Sequence, residues 1–374
     1  MSGIYLHIPF CKKACHYCDF HFSTSRDLMN DMVQSIAREI TLRKNYLAGE
    51  KVETIYFGGG TPSLLSGDQL KLLLNTINEN FVVDAEAEIT LESNPDDLTP
   101  EVLKILRSSG VNRLSIGIQS FREKDLLLMN RAHNATQALQ CVNDAQSAGF
   151  GNITIDLMYG LPELSPEDWA DNMKTAFELG VDHLSCYSLT VEPRTALASM
   201  IKQNKVKDID DGASALHFEM LMKAAAENGF EHYEISNFAR NGKYSRHNTS
   251  YWQRKKYLGV GPSAHSYNGE SRQWNVSNNP VYIRSLAENK IPAEVEELSV
   301  KDKFNEYILT SLRTKWGVDL NFVTSEYGDE LTSELKQKFK IQAAAGFVEQ
   351  NGNIFTLSNN GKYFADRISS ELFI

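Results

Sequence analysis

Ile4-Tyr5-Leu6-His7-Ile8-Pro9-Phe10-Cys11-Lys12-Lys13-Ala14-Cys15-His16-Tyr17-Cys18 opens the chain as an apolar run followed by three thiols in eight residues, spaced x3 and then x2. The run reads as a strand and the thiols as the loop that leaves it. Thiolates are soft ligands, and this spacing lets one short loop offer several of them to a single metal or iron–sulfur centre. A [4Fe–4S] cubane on three cysteines keeps one iron free for a small molecule. A closed zinc site needs a fourth ligand, for which His16 or His21 can serve. A disulfide with one thiol left over is the plainest use of the same residues.

Outward from that loop, short apolar runs alternate with amphipathic stretches as far as residue 240. Strands are expected over 4–9, 54–57, 88–91, 113–118, 152–158, 183–188 and 232–235, and helices over 29–47, 68–80, 100–109, 135–148, 167–179 and 213–228. Repeated strand–helix units imply parallel strands joined by right-handed crossovers. Six or seven units fall short of a full eight-unit barrel. The expected fold is therefore α/β, a partial (β/α)6-type open barrel with a small C-terminal winged-helix-like domain, and a flat doubly wound sheet is its rival. Thr99-Pro100 and Ser165-Pro166 supply helix caps followed by proline at the first helical position. Gly110, Gly149, Gly180 and Gly229 each close a helix ahead of the next strand.

The expected domains are a barrel over 1–240, an irregular segment over 241–298 that closes the barrel mouth, and a helical unit over 299–374. The last carries a hairpin turn at Asn351-Gly352. Helices followed by a two-stranded wing can bind DNA, but Glu326, Asp329, Glu330, Glu334 and Glu349 charge this one poorly for that role. A structural or partner-docking role is expected.

Composition narrows the classes. The chain has 374 residues, 42% hydrophobic and 23% charged, as ordinary globular proteins do, and its formal net charge of -10 argues against a broad nucleic-acid surface. No leader is recognisable, and no apolar stretch approaches the ~18 residues that a membrane span requires. Five cysteines, three of them clustered, do not form a disulfide framework, so a reducing, cytoplasmic setting is expected.

The strands end in unusual chemistry. The second runs into Gly58-Gly59-Gly60-Thr61-Pro62, the third into Glu92-Ser93-Asn94-Pro95 and the fourth into Gln119; the fifth carries Asp156 and runs on to Gly160-Leu161-Pro162. In parallel βα barrels the strand C-termini share one face, where active sites are built. The glycines allow close backbone approach to a ligand or, more plainly, a tight turn; no phosphate loop is present, because the Gly-Lys-Ser/Thr ending is missing. Acceptors at Glu92, Gln119 and Asp156 with Arg131 nearby suit a ligand bearing hydroxyls, an amine and a carboxylate. Each of them can equally be an ordinary strand-end polar group. Cys141 and Cys186 read as core thiols.

Cys11-x3-Cys15-x2-Cys18, with Tyr17 before the last cysteine and Gly59-Gly60-Thr61-Pro62 after it, resembles the radical S-adenosylmethionine (SAM) superfamily. Tyr5-x-His7-Ile8-Pro9-Phe10, Glu92-Ser-Asn-Pro95, Asn130-Arg131 and Asp156-Leu-Met-Tyr-Gly160 resemble more narrowly the branch that holds oxygen-independent coproporphyrinogen III oxidase and the HemW-type haem chaperones. The resemblance implies that Cys11, Cys15 and Cys18 hold a [4Fe–4S] cluster, with SAM chelating its open iron. It implies SAM contacts from Tyr5, Gly59, Gly60, Thr61, Glu92, Gln119, Arg131 and Asp156. A reduced cluster in such proteins can cleave SAM to a 5′-deoxyadenosyl radical, for which a flavodoxin or ferredoxin is the natural electron donor.

Between the two branches, the oxidase has an N-terminal extension and a fourth cysteine, where this chain has Phe20. His247-Asn248-x-x-Tyr251-Trp252 instead looks like the haem-binding motif of the chaperones. An exposed imidazole can ligate haem iron, Tyr251 and Trp252 offer flat faces, and Arg246, Arg254, Lys255 and Lys256 can meet propionates. By side-chain chemistry alone, His247 is a loop histidine with a local hydrogen bond. The implied function is transfer of haem to an acceptor protein; the alternative is oxidative decarboxylation of coproporphyrinogen propionates.

Overall fold

A computed structural model describes residues 2–374. Six strands in chain order, β1 (Ser2–Ile8), β2 (Val52–Gly59), β3 (Val83–Ser93), β4 (Arg113–Gln119), β5 (Ile153–Tyr159) and β6 (His183–Ser188), lie side by side and pair in parallel. Their inner residues form near-continuous buried runs, as strands covered on both faces do. Helices such as Met29–Leu42, Gly67–Asn80 and Pro166–Glu178 connect them. Thr99 and Ser165 cap their helices as the sequence predicts, Ser165 in a capping box, and Ser66 forms a second such box. Met32, Ile36, Leu73, Ile77 and Trp169 lie in the large core.

Two expectations need correction. The seventh predicted strand is not a further parallel unit. β7 (Glu231–Glu234) pairs only with β8 (Asn237–Ala239), which runs antiparallel to β6 and ends the sheet on that side. The segment over 241–298 is also not irregular. It contains the helix Arg246–Trp252 and then β9 (Lys256–Val260), β10 (His265–Tyr267), β11 (Ser271–Asn275) and β12 (Ala293–Glu297). β9 lies parallel against the free edge of β1, and β10 to β12 extend the sheet antiparallel, for twelve strands in all. Local composition hides this, because Gly259 and Gly261 serve close packing. A Cβ on Gly259 would lie 1.9 Å from the His265 carbonyl oxygen, and one on Gly261 2.4 Å from that of His7.

The sheet is open, with β7 and β12 as its edges. It is also strongly curved: Tyr5 from β1, Gly59 from β2, Glu92 from β3 and Tyr187 from β6 line one cavity. That convergence distinguishes an open barrel from a flat sheet.

A second hydrophobic cluster gathers Phe304, Ile308, Leu335, Phe339, Phe355 and Ile368. Here the helix Val300–Leu312 is followed by a three-stranded sheet of β13 (Val318–Asp319), β14 (Val348–Asn351) and β15 (Ile354–Leu357). The chain ends in two short helices, Asn359–Lys362 and Ala365–Leu372. This unit grips the barrel at a few polar points. Arg313 Nη2 meets Glu234 at 3.2 Å, its guanidinium lies over Trp252 at 5.4 Å, and Arg254 sits against Tyr307 and Phe322 at 4.7 and 4.8 Å.

Candidate functional site at the barrel mouth

The cysteine loop is held from both ends. Ser23 N–H donates to the Pro9 carbonyl (2.9 Å) and Cys11 N–H to that of Ser23 (3.0 Å), while Thr61 N–H donates to Phe10 (2.7 Å) and Gly60 N–H to Ile8 (2.9 Å). A Cβ at Gly60 would meet Phe10 O at 2.6 Å, so glycine there is a steric requirement of the loop. His16 Nδ1 donates to Leu128 O at 2.8 Å and His21 Nε2 to Asn279 Oδ1 at 2.7 Å, so both histidines spend a ring nitrogen on the protein.

Arg131 ties the thiols together. Its Nη1 donates toward Cys15 Sγ (3.3 Å) and Tyr17 Oη (3.4 Å), and its Nη2 donates to Asn94 Oδ1 (2.6 Å) and Gly117 O (2.6 Å). Asn94 Nδ2 donates in turn to Thr61 Oγ1 at 3.2 Å, and Thr61 is hydrogen-bonded to Cys11. One polar chain thus runs from Cys15 through Arg131, Asn94 and Thr61 to Cys11. Asn94 is the residue that sequence reasoning quoted without assigning; its position at the end of β3 was the available signal. Gln119, at φ 69°, adopts a conformation rare for a residue with a side chain, and its amide and the Arg131 guanidinium both approach Gly117.

Burial raises the thiols of Cys11 and Cys18, the latter to about 11, with the neighbouring cysteines adding to the effect. A positive centre beside them would reverse that cost. Among the described residues, no three His, Cys, Asp or Glu side chains converge as ligands of one ion. A cubane takes each thiolate on a different iron, so its donors need no common point. The donor set fits such a cluster: three soft sulfurs on one loop, one of them already facing a guanidinium whose Nε–H has no partner.

Deeper in the mouth, Glu92 accepts from Tyr56 Oη at 2.8 Å, and burial raises its carboxyl. Burial, with repulsion from Glu92, lifts Asp156 to about 7. Two carboxyls whose ionisation burial penalises suit a ligand that brings its own positive charge. Tyr5 donates to His7 Nδ1 at 3.2 Å while His7 Nε2 donates to His21 O at 2.9 Å, which settles the tautomer of His7. Tyr5, Tyr56 and His247 then stack in sequence, at 6.1 and 5.0 Å between ring centres.

The motif residues depart from expectation. His247 is on a helix, 1% exposed, with Nδ1 paired to Thr54 Oγ1 (2.8 Å) and Nε2 to Tyr251 Oη (2.7 Å). Burial, aided by Arg113, pushes it down to about 3, so it is neutral. The exposed loop imidazole anticipated from the sequence is a buried, doubly bonded one. The cause lies in β3, because the buried Glu88 carboxylate accepts from the N–H groups of Arg246 and His247 (3.2 and 3.1 Å) and draws the helix start into the sheet. Of the expected cationic residues, Arg246 donates to Glu86 O, Lys256 pairs with Glu50 and Lys255 with Glu53; Arg254 alone of the four faces the cavity.

That cavity, about 630 Å³, joins the two sets. Tyr5, Gly59 and Glu92 line it together with His247, Asn248, Tyr251 and Trp252, whereas Gly60, Thr61, Gln119, Arg131, Asp156 and the cysteines lie outside its lining. Tyr257, Tyr267 and His265 complete an aromatic wall that sequence reasoning missed, and Glu306 and Thr310 of the C-terminal unit form part of the rim. Trp252 Nε1 is buried without a hydrogen-bond partner among the described residues.

Residues 5–176 match the family model of the radical SAM superfamily, and residues 298–364 that of the HemN C-terminal domain. The chain is 33% identical to the haem chaperone HemW of Bacillus subtilis over 98% of each chain. It is likewise 33% identical to HemW of Mycobacterium tuberculosis, over 98% of this chain and 93% of that one. Among solved structures, coproporphyrinogen III oxidase (HemN) from Escherichia coli, a radical SAM enzyme, superposes with a TM-score of 0.86 at 25% identity, covering 100% of this chain and 90% of that one.

Proposed function

The chain belongs to the radical SAM superfamily and, within it, to the family of the HemW proteins, and from that membership we propose that it is a haem chaperone. In this reading it works in the cytoplasm, holds haem beside a [4Fe–4S] cluster and SAM, and passes the haem to an acceptor protein. Among the described residues no helix is long and apolar enough to cross a membrane.

The observation that carries the reading is the continuous cavity in which strand-end residues of the barrel face the aromatic wall of the motif helix. Its volume lies within the ~300–1,000 Å³ range of small-ligand sites. Cys11, Cys15 and Cys18 would hold the cluster, with Arg131 orienting Cys15 and Thr61 fixing Cys11. When reduced, the cluster supplies reductive SAM chemistry, with a flavodoxin- or ferredoxin-type protein as electron source. Tyr5, Gly59, Gly60, Thr61, Glu92, Gln119, Arg131 and Asp156 would surround SAM. Asn248, Tyr251 and Trp252 would face the porphyrin, and His247 would hold Tyr251 in place through its Nε2.

The likeness to the oxidase supports a second reading, decarboxylation of coproporphyrinogen III. One paired experiment separates the two. Protein reconstituted without oxygen is titrated with haem and also assayed for SAM-dependent conversion of coproporphyrinogen III under reduction. The chaperone reading expects a saturable Soret change and no vinyl product. Vinyl product at catalytic turnover assigns the oxidase instead.

A further inference from the structure

An imidazole ligates iron only through a ring nitrogen whose lone pair is free and within reach of the porphyrin. Four histidines line the cavity, and two of them have both ring nitrogens committed. His247 uses both nitrogens, on Thr54 and Tyr251, and His7 uses both, on Tyr5 and His21 O. His21 spends Nε2 on Asn279 and keeps Nδ1, but it lies on the loop that leaves the cysteines and not on a strand. The fourth, His265, is exposed into the cavity and makes no side-chain hydrogen bond among the described residues; its ring merely neighbours Trp274, at 6.1 Å.

We infer that His265, not His247, is the side chain that takes the iron of a porphyrin bound in this cavity. The inference rests on the haem-chaperone reading above.

The backbone beneath His265 is built for rigidity. β10 packs flush on β9, because Gly259 presents no Cβ to the His265 carbonyl. Ser266 Oγ accepts from Gly259 N–H (2.9 Å) and reaches back to Gly259 O (3.2 Å), stapling the two strands. The intervening turn places Gly261 at φ 101° under the His7 carbonyl and Ser263 at φ 66° in the cavity wall. A ligand on a strand fixed in this way is held more closely than one on a loop. Binding iron here breaks no existing hydrogen bond of the protein, whereas binding through His247 would strip Tyr251 or Thr54 of its partner inside the core. Tyr251, Trp252 and Tyr257 supply apolar faces for the ring, and Arg254 lines the cavity as a cation for its carboxylates, while Arg272 is already paired with Glu306.

The test uses the full chain with its cluster reconstituted and two probes, ferric protoporphyrin IX and metal-free protoporphyrin IX. For His265→Ala we expect the Soret band of the ferric probe to move to the position of an unligated haem and its affinity to fall on the order of tenfold or more. Metal-free porphyrin, followed by fluorescence, should bind within about threefold of the parent protein, since the pocket itself is intact. Added imidazole should restore the parent spectrum, and His265→Met should give a different ligated spectrum. The side chain is exposed, so these variants fold. An unchanged Soret band in His265→Ala overturns the inference; if His247→Phe alone abolishes ligation, the iron ligand is His247 and the chaperone reading survives. If neither probe binds the parent protein, the chaperone reading fails and the inference falls with it.

Discussion

The two ends of the mouth cavity are built on opposite principles. At the cysteine loop, functional groups sit at the ends of successive strands and are joined by side-chain hydrogen bonds: Cys15 to Arg131, Arg131 to Asn94, Asn94 to Thr61. At the motif helix, the most conspicuous histidine has been drawn inward and serves the barrel, bonded to Thr54 of β2 and Tyr251 of its own helix. The first arrangement leaves three partly buried sulfurs on a tethered loop. The second lines the cavity with aromatic faces and leaves an indole N–H buried without a partner. Two regions that look equally motif-like in sequence thus differ in what they offer: the loop offers donors for a metal centre, and the helix offers a wall.

The comparison breaks most severely at Cys15. Replacing it by Ala should abolish the broad visible absorbance of the reconstituted cluster while leaving the far-UV circular dichroism of the barrel intact, because Cys15 is only partly buried and closes no disulfide. A variant that retains a full cluster would sink the ligand assignment.

Next in size is His247. His247→Phe strips Thr54 and Tyr251 of partners in the core and should cost on the order of 2–4 kcal/mol in denaturant unfolding. Its folded-state pKa is depressed, so its contribution is fully present above about 6.5 and is lost as pH falls toward about 3. Parent stability should therefore drop across that window more steeply than that of His247→Phe. Parallel pH profiles would mean that the imidazole is not buried and neutral.

The smallest effect is expected at the seam with the C-terminal unit. Arg313 contacts Glu234 at 3.2 Å, meets Asp366 at 2.9 Å and covers Trp252. Arg313→Ala should cost about 1–3 kcal/mol, mainly through the buried Glu234 carboxylate it abandons. It should also change Trp252 fluorescence; an unaltered emission spectrum would show that the guanidinium does not rest on that indole.

The barrel was legible because each of its strands is a short apolar run bounded by glycine or a cap, and the alternation with helices dictates parallel pairing. Convergence of Thr61, Glu92, Gln119 and Asp156 followed from topology, since every parallel strand delivers its C-terminal residue to the same rim. The β9 to β12 extension was not legible. Leu258-Gly259-Val260-Gly261 lacks the periodicity of a strand because its glycines answer to His7 and His265, residues distant in sequence or across a turn. Network partners such as Asn94 were visible but ambiguous, because a hydrogen bond to Arg131 has no signature along the chain.

By itself, then, the order of residues determined the local elements, the shared rim and the three-sulfur loop, all consequences of spacing and of strand polarity. Which cavity histidine keeps its ring nitrogens free and which has both committed was decided only in three dimensions. Glu88 pulls one helix start into the sheet, and Gly259 lets β10, which carries the other imidazole, lie close on β9. Burial depends on what packs against a residue from elsewhere, and no stretch of neighbouring sequence carries that information.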